Sequence, residues 1–179
     1  MLAPFANGPD ELNMIALSPA SMRRVLNFWP PLLFAGIRVL AIAPDWRHAR
    51  VVLRRRWYNR NYVGTHFGGS LFAMTDPFWM ILVLSRLGRE YIVWDKAGEI
   101  EFVAPGREDV YAEFLVDDAL LDELRTATAG GDKYLRWCDT EVKTAGGEVI
   151  ARVRKQLYVR RKRSAADDAT AATNESAPG

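Results

Sequence analysis

From Phe67 to Ser85 the chain carries a single ionisable side chain, Asp76, in the run Phe-Gly-Gly-Ser-Leu-Phe-Ala-Met-Thr-Asp-Pro-Phe-Trp-Met-Ile-Leu-Val-Leu-Ser. A helix that is apolar on every side has to be enclosed. A curved antiparallel sheet wrapped around it is the simplest enclosure. A lone carboxylate in such a helix is costly unless something satisfies it, and groups held at that cost mark functional sites more often than average. The length comes close to that of a bilayer span. A span, however, needs about 20 mainly apolar residues, and a central Asp costs about 2.5–3.5 kcal/mol on insertion scales. With Gly68-Gly69 at one end and Asp76-Pro77 in the middle, burial inside a folded domain is the reading with less strain. The other apolar stretch, Phe28 to Ala43, is broken by Pro30-Pro31, Gly36 and Arg38. No membrane span is expected.

The chain has 179 residues, enough for one domain with a real core. A net charge of +2 excludes a polycation that coats nucleic acid. Cys138 is the sole cysteine, so an intrachain disulfide is impossible and a reducing compartment is expected. The first ten residues lack the basic-then-apolar order of a signal peptide, and a cytoplasmic location is expected. No zinc-ligand spacing, phosphate loop or Ser-His-Asp signature is present.

Residues 1–17 read as an irregular arm, 18–163 as the domain, and 164–179 as a disordered tail with no apolar face to bury. Ser18-Pro19 starts a helix that stops at Trp29-Pro30-Pro31. Strands are expected over 37–43 and 50–57, with turn chemistry between them. A polar loop, Tyr58 to Thr65, leads to the apolar helix, which ends near Leu87-Gly88. Short extended runs at 91–94 and 99–103 flank Lys96-Ala-Gly98, and a further strand covers 110–116. Asp117-Asp118 caps a helix over 119–128, and strands at 134–144 and 148–160 form a hairpin. In the last strand Val149, Ala151, Val153, Leu157 and Val159 alternate with Ile150, Arg152, Arg154, Tyr158 and Arg160, which gives a buried face and a mostly basic one.

Asn61, Gly64, Gly68-Gly69 and Asp76, in this order and spacing, resemble the phenylacetate-type branch of the hotdog-fold thioesterase superfamily. The runs Ile100 to Arg107 and Tyr111 to Leu115 resemble that branch's middle strands and their turn. The wording Phe67 to Phe78, with Ile92-Val-Trp-Asp-Lys-Ala97, is closer to the thioesterase-like DUF4442 group, over roughly Pro19 to Arg160. The resemblance implies an α+β hotdog fold with one long central helix, an N-terminal helix and one inserted helix after Asp117. It also implies an acyl-CoA or acyl-carrier thioester as substrate, with coenzyme A only as part of that substrate and no separate cofactor. A homodimer or dimer of dimers is implied, the helix start of one subunit meeting the Asp of its neighbour. The position where the family places histidine is Phe67 here, and His66 stands one residue earlier.

The residues support such a site on physical grounds. A helix N-terminus at Gly68-Gly69 offers unpaired N–H groups to a carbonyl, with no Cβ in the way. Asp76, seven residues beyond Gly69, returns to nearly the same helical face and would act as general base or as nucleophile. Each residue also has a plainer reading. Asp76 could cap the helix after a kink at Pro77, and the glycines could serve helix–sheet packing. His66 could be a loop hydrogen-bonder, and Asn61 could fix the loop or orient a water. Phe78, Trp79 and Trp94 read as core, and Cys138 as inert packing. Arg54, Arg56, Arg60, Arg152 and Arg154 could bind coenzyme A phosphates or lie on solvated strand faces. A non-catalytic acyl-CoA or fatty-acyl binding protein, or a scaffold dimer with acidic partners, are the competing functions.

Overall fold

A computed structural model describes residues 17–162; the tail at 164–179 and nearly all of the 1–17 arm lie outside the described residues. Helix α1 (Pro19–Phe28) is capped by the Ser18 side chain, which accepts from the Ser21 amide. Helix α2 (Pro30–Ala35) follows at once, where the sequence suggested only a stop. Proline at the first helical position loses nothing, because that N–H has no intrahelical partner, and so Pro30 starts a helix as readily as it ends one. Gly36 closes α2 at φ 82°, a conformation that favours glycine.

Six strands form one antiparallel sheet in the order β1-β2-β4-β5-β6-β3. They are β1 (Ile37–Ile42), β2 (His48–Leu53), β3 (Tyr91–Phe102), β4 (Val110–Leu115), β5 (Lys133–Thr144) and β6 (Val149–Arg161). Strand β2 ends earlier than its sequence suggests. Side chains take over its backbone partners: Asp109 Oδ1 accepts from the Arg55 amide, and Asn59 binds both the Arg54 carbonyl and the Arg56 amide. A 3₁₀ turn, Trp57–Asn59, follows. The two short runs around Lys96 are one continuous strand. Because β3 pairs with β6 along its whole length, the extra residue is absorbed as a bulge between Asp95 and Ala97.

The central helical segment runs from Gly68 to Leu87 in two parts, α3 (Gly68–Ala73) and α4 (Phe78–Leu87). Pro77 has no N–H to continue the ladder, and Thr75 Oγ1 donates to the Phe72 carbonyl at 2.7 Å, so the helix breaks over 74–77. The Asp76–Pro77 peptide is cis. The segment is long and apolar enough to cross a bilayer by composition, yet most of it is buried inside the fold. Helix α4 buries Phe78, Trp79, Ile81, Leu82, Val83 and Leu87. Phe78 stacks on Phe114, and the Trp79 indole donates to Thr140 Oγ1 at 2.8 Å, fastening α4 to β4 and β5. Helix α5 (Asp118–Ala127) is capped by Asp117, buries Leu121 and Leu124, and packs on α4. Trp94 departs from the core reading: it is 43% exposed and lies edge-on to Tyr158 on the outer face of the sheet.

Candidate functional site

The start of α3 forms one wall of a cleft of about 520 Å³, lined among others by Asn61, His66, Phe67, Gly68, Phe102 and Gly106. Among the described residues the Gly68 and Gly69 amides have no hydrogen-bond partner, as expected at a helix start whose N-cap, Phe67, has no capping side chain. Both glycines make room for aromatic rings. A Cβ on Gly68 would lie 2.8 Å from Phe102, and one on Gly69 would lie 2.4 Å from Phe67.

Asn61 is committed to the loop. Its amide donates to Thr65 Oγ1 at 2.8 Å and to the His66 carbonyl at 3.2 Å, while its oxygen accepts from the amides of Val63 and Thr65. His66 is buried, and its Nε2 lies 2.7 Å from the Glu108 carbonyl. A carbonyl only accepts, so Nε2 carries the proton, and the buried Nδ1 has no partner among the described residues. Burial lowers the imidazole's proton affinity, and the Glu108 carbonyl opposes that only in part. His66 therefore faces the cleft region as a neutral ring that joins the loop to the 106–108 turn.

Asp76 does not line this cleft. It sits past the other end of α3, roughly 10 Å away along the helix at 1.5 Å of rise per residue, and the break after Ala73 ends the helical repeat that would place it on the face of Gly69. Nor does it cap α4, whose N-cap has no side-chain hydrogen bond. Its carboxylate is 46% exposed rather than enclosed, and Oδ1 accepts from Lys155 Nζ at 2.9 Å.

Lys155 is the residue that sequence reasoning missed. It occupies an inward position of β6 between buried Val153 and Leu157, and its side chain is only 6% exposed. Asp95 of β3 approaches it from the other side at 3.4 Å, and the Phe72 ring lies 4.4 Å from the ammonium. Gly98, opposite Lys155 in the ladder, makes that ring position possible, since a Cβ there would lie 2.6 Å from Phe72. Burial pushes the Asp95 carboxyl up to about 6; Lys155 opposes the rise, and the neighbouring Asp76 carboxyl adds to it. The signal for Lys155 was its place in the alternation of β6: a lysine on the inward face of a strand requires a carboxylate.

The five candidate arginines divide into two groups. Arg54, Arg56 and Arg60 stand together on the loop after β2, and Arg60 Nε donates to the Arg56 carbonyl. Arg152 and Arg154 are on the outer face of β6, away from the cleft. Arg152 pairs with Glu101 and Glu141, and Arg154 pairs with Glu99 and Asp139. The structure therefore keeps the glycine cleft, the Asp76 cluster and the β6 arginines in three separate places within one chain.

Element order, the curved sheet and the enclosed helical segment define a hotdog fold. The chain belongs to the DUF4442 family, a domain of unknown function, whose pattern matches residues 20–159. The Pseudomonas aeruginosa protein PA5026, described as a probable thioesterase, superposes with a TM-score of 0.71 at 19% identity, covering 81% of this chain and 97% of that one. The Haemophilus influenzae thioesterase HI1161 superposes at 0.60 with 12% identity, over 83% and 94%. A Chlorobaculum tepidum protein of unknown function superposes at 0.64 with 14% identity, over 82% and 98%. No curated protein sequence matches the chain.

Proposed function

We propose that this protein hydrolyses an acyl-CoA or acyl-carrier thioester as a homodimer, the cleft of one protomer being completed by Asp76 of the second. The observation that carries the reading is a carboxylate half open to solvent in an otherwise apolar segment and held in one orientation by a buried lysine. The unpartnered Gly68 and Gly69 amides supply donors for a thioester oxygen, and relatives of the same fold are described as thioesterases. As general base, Asp76 takes a proton from water while the water oxygen bonds to the carbonyl carbon. Collapse of the intermediate then breaks the C–S bond and releases the thiolate. As nucleophile, its oxygen bonds to the carbonyl carbon, the C–S bond breaks to release the thiolate, and water later opens the resulting anhydride to free the acid and regenerate the Asp76 carboxylate. Arg54, Arg56 and Arg60 are the proposed partners of the phosphates of coenzyme A. The free edge of β3 is the proposed seam between protomers, since a long unpaired edge invites a second strand.

The test is thiol release from a panel of acyl-CoAs by the wild type and Asp76→Ala. The expected loss on the best substrate is about 10²–10⁴-fold. Equal rates for both proteins on every substrate would overturn the catalytic reading. A second reading, a non-catalytic acyl-binding protein, is favoured by one observation: the rings of Phe67 and Phe102 lie against the very glycines a thioester would approach. Thermal stabilisation by acyl-CoA without turnover would support it.

A further inference from the structure

An ammonium as buried as that of Lys155 is kept only where its surroundings answer its charge. Three groups do so from three elements: Asp76 between α3 and α4, Asp95 on β3, and the face of the Phe72 ring on α3. The two carboxyls differ in environment. That of Asp76 is 46% exposed, whereas that of Asp95 is 19% exposed, and its buried Oδ1 has no hydrogen-bond partner among the described residues. One ammonium between two unlike carboxyls has a definite order of ionisation. The buried one, Asp95, holds its proton to higher pH than an ordinary aspartate.

We propose that Lys155 and Asp95 are positioning residues for Asp76: Lys155 fixes the orientation of the Asp76 carboxylate, and the proton on Asp95 governs how much of the lysine's charge Asp76 receives. The proposal rests on the catalytic reading of Asp76 given above. With Asp95 protonated, the Lys155 ammonium is committed to Asp76 and opposes the arrival of a proton there. With Asp95 ionised, the ammonium is shared between the two carboxylates, and a second negative charge beside Asp76 favours proton transfer from water. The position of Asp95 near 6 places this change inside the range of ordinary assays. The groups that face Asp95 are Asp76, Lys155 and, from β5, Cys138, whose thiol burial pushes up to about 12 and so keeps neutral throughout. Phe72 closes the cluster from α3 and carries no charge. Rate is therefore expected to rise with pH through the ionisation of Asp95.

The experiment has two independent readouts on the full chain. The first is the pH profile of kcat/KM for thioester hydrolysis in wild type, Lys155→Met, Lys155→Arg and Asp95→Asn, between about pH 5 and pH 8. Lys155→Met is expected to lose about tenfold or more, mainly in kcat, Lys155→Arg to recover a substantial part, and Asp95→Asn to lose the inflection near 6. The second is carbon-13 NMR of the aspartate carboxyls, which needs no turnover. The Asp95 resonance is expected to titrate near 6, to move up in Lys155→Met, and to move down in Asp76→Asn. If Asp76→Ala abolishes turnover but Lys155→Met and Asp95→Asn keep the wild-type profile, this proposal fails and the catalytic reading stands. If wild type and Asp76→Ala do not differ, the catalytic reading fails, and the proposal, which rests on it, falls as well; the NMR arm then shows only whether the three groups are coupled. An Asp95 titration that ignores both Asp76→Asn and Lys155→Met overturns the coupling. Should Lys155→Met not fold, Asp95→Asn and the Asp76→Asn spectrum decide alone.

Discussion

Asp95 carries an energetic cost that its proposed role explains. Its carboxyl ionises near 6 in the folded chain, against about 3.9 for an unperturbed aspartate. Between those two values the native state binds more protons than the unfolded one, so this group's contribution to stability falls as pH rises across the window and is least favourable above it. The size is on the order of 2–3 kcal/mol, for a side chain that is mostly buried. Asp95→Asn removes the ionised form. Urea unfolding is expected to show the variant more stable than wild type at pH 8 by that order, with the advantage gone near pH 4. A variant less stable at pH 8 would mean that the carboxylate's contacts outweigh its burial. At this scale Asp76 stood out in the sequence because a charge in an apolar run is conspicuous. Lys155 and Asp95 did not, because each sits in an alternating strand where charges are ordinary, and only the register to Val153 and Leu157, or to Tyr91 and Val93, turns them inward.

Among the elements, the central segment was legible as apolar and enclosed, and its break was not. Nothing in the hydrophobic pattern tells a kinked helix from an interrupted one. That choice was made by Pro77, by Thr75 donating to the Phe72 carbonyl, and by the tie from Asp76 to Lys155. What holds α4 in the sheet is more local. The indole N–H of Trp79 is buried with Thr140 Oγ1 as its acceptor, while the other buried side chains of the helix, Phe78, Ile81, Leu82, Val83 and Leu87, pack by shape alone. Thr140→Val keeps the volume and strands the donor, for an expected loss of about 1–3 kcal/mol in the unfolding free energy. Thr140→Ser keeps the hydroxyl and should recover most of it. Equal losses in both variants would show that the methyl group, not the hydrogen bond, is what the site requires. The strand ends followed the same logic: β2 stops at Leu53 because Asn59, from the following turn, and Asp109, far along the chain, capture the next backbone groups.

For the molecule as a whole, the cleft at Gly68 and the carboxylate at Asp76 lie at opposite ends of α3, so a single chain holds two halves of the proposed site without joining them. The sequence could not reveal this, because seven residues of unbroken helix would have put both on one face. A second copy is the proposed remedy, and β3 is where it would bind. Strand β3 spans Tyr91–Phe102, lies at the end of the sheet order, and among the described residues pairs with β6 alone. In an antiparallel strand successive N–H groups point alternately to the two sides. Replacing residues 92 to 94 by proline, one at a time, should therefore divide the variants into two alternating classes. Where the lost N–H faces β6, the ladder is broken and thermal stability falls. Where it faces outward, the protomer should keep its melting temperature at low concentration while light scattering shows half the wild-type mass, and thiol release should fall with the dimer. Wild type at the mass of a single chain, or outward prolines that leave a dimer intact, would move the seam away from β3 and require the two half-sites to meet by another route.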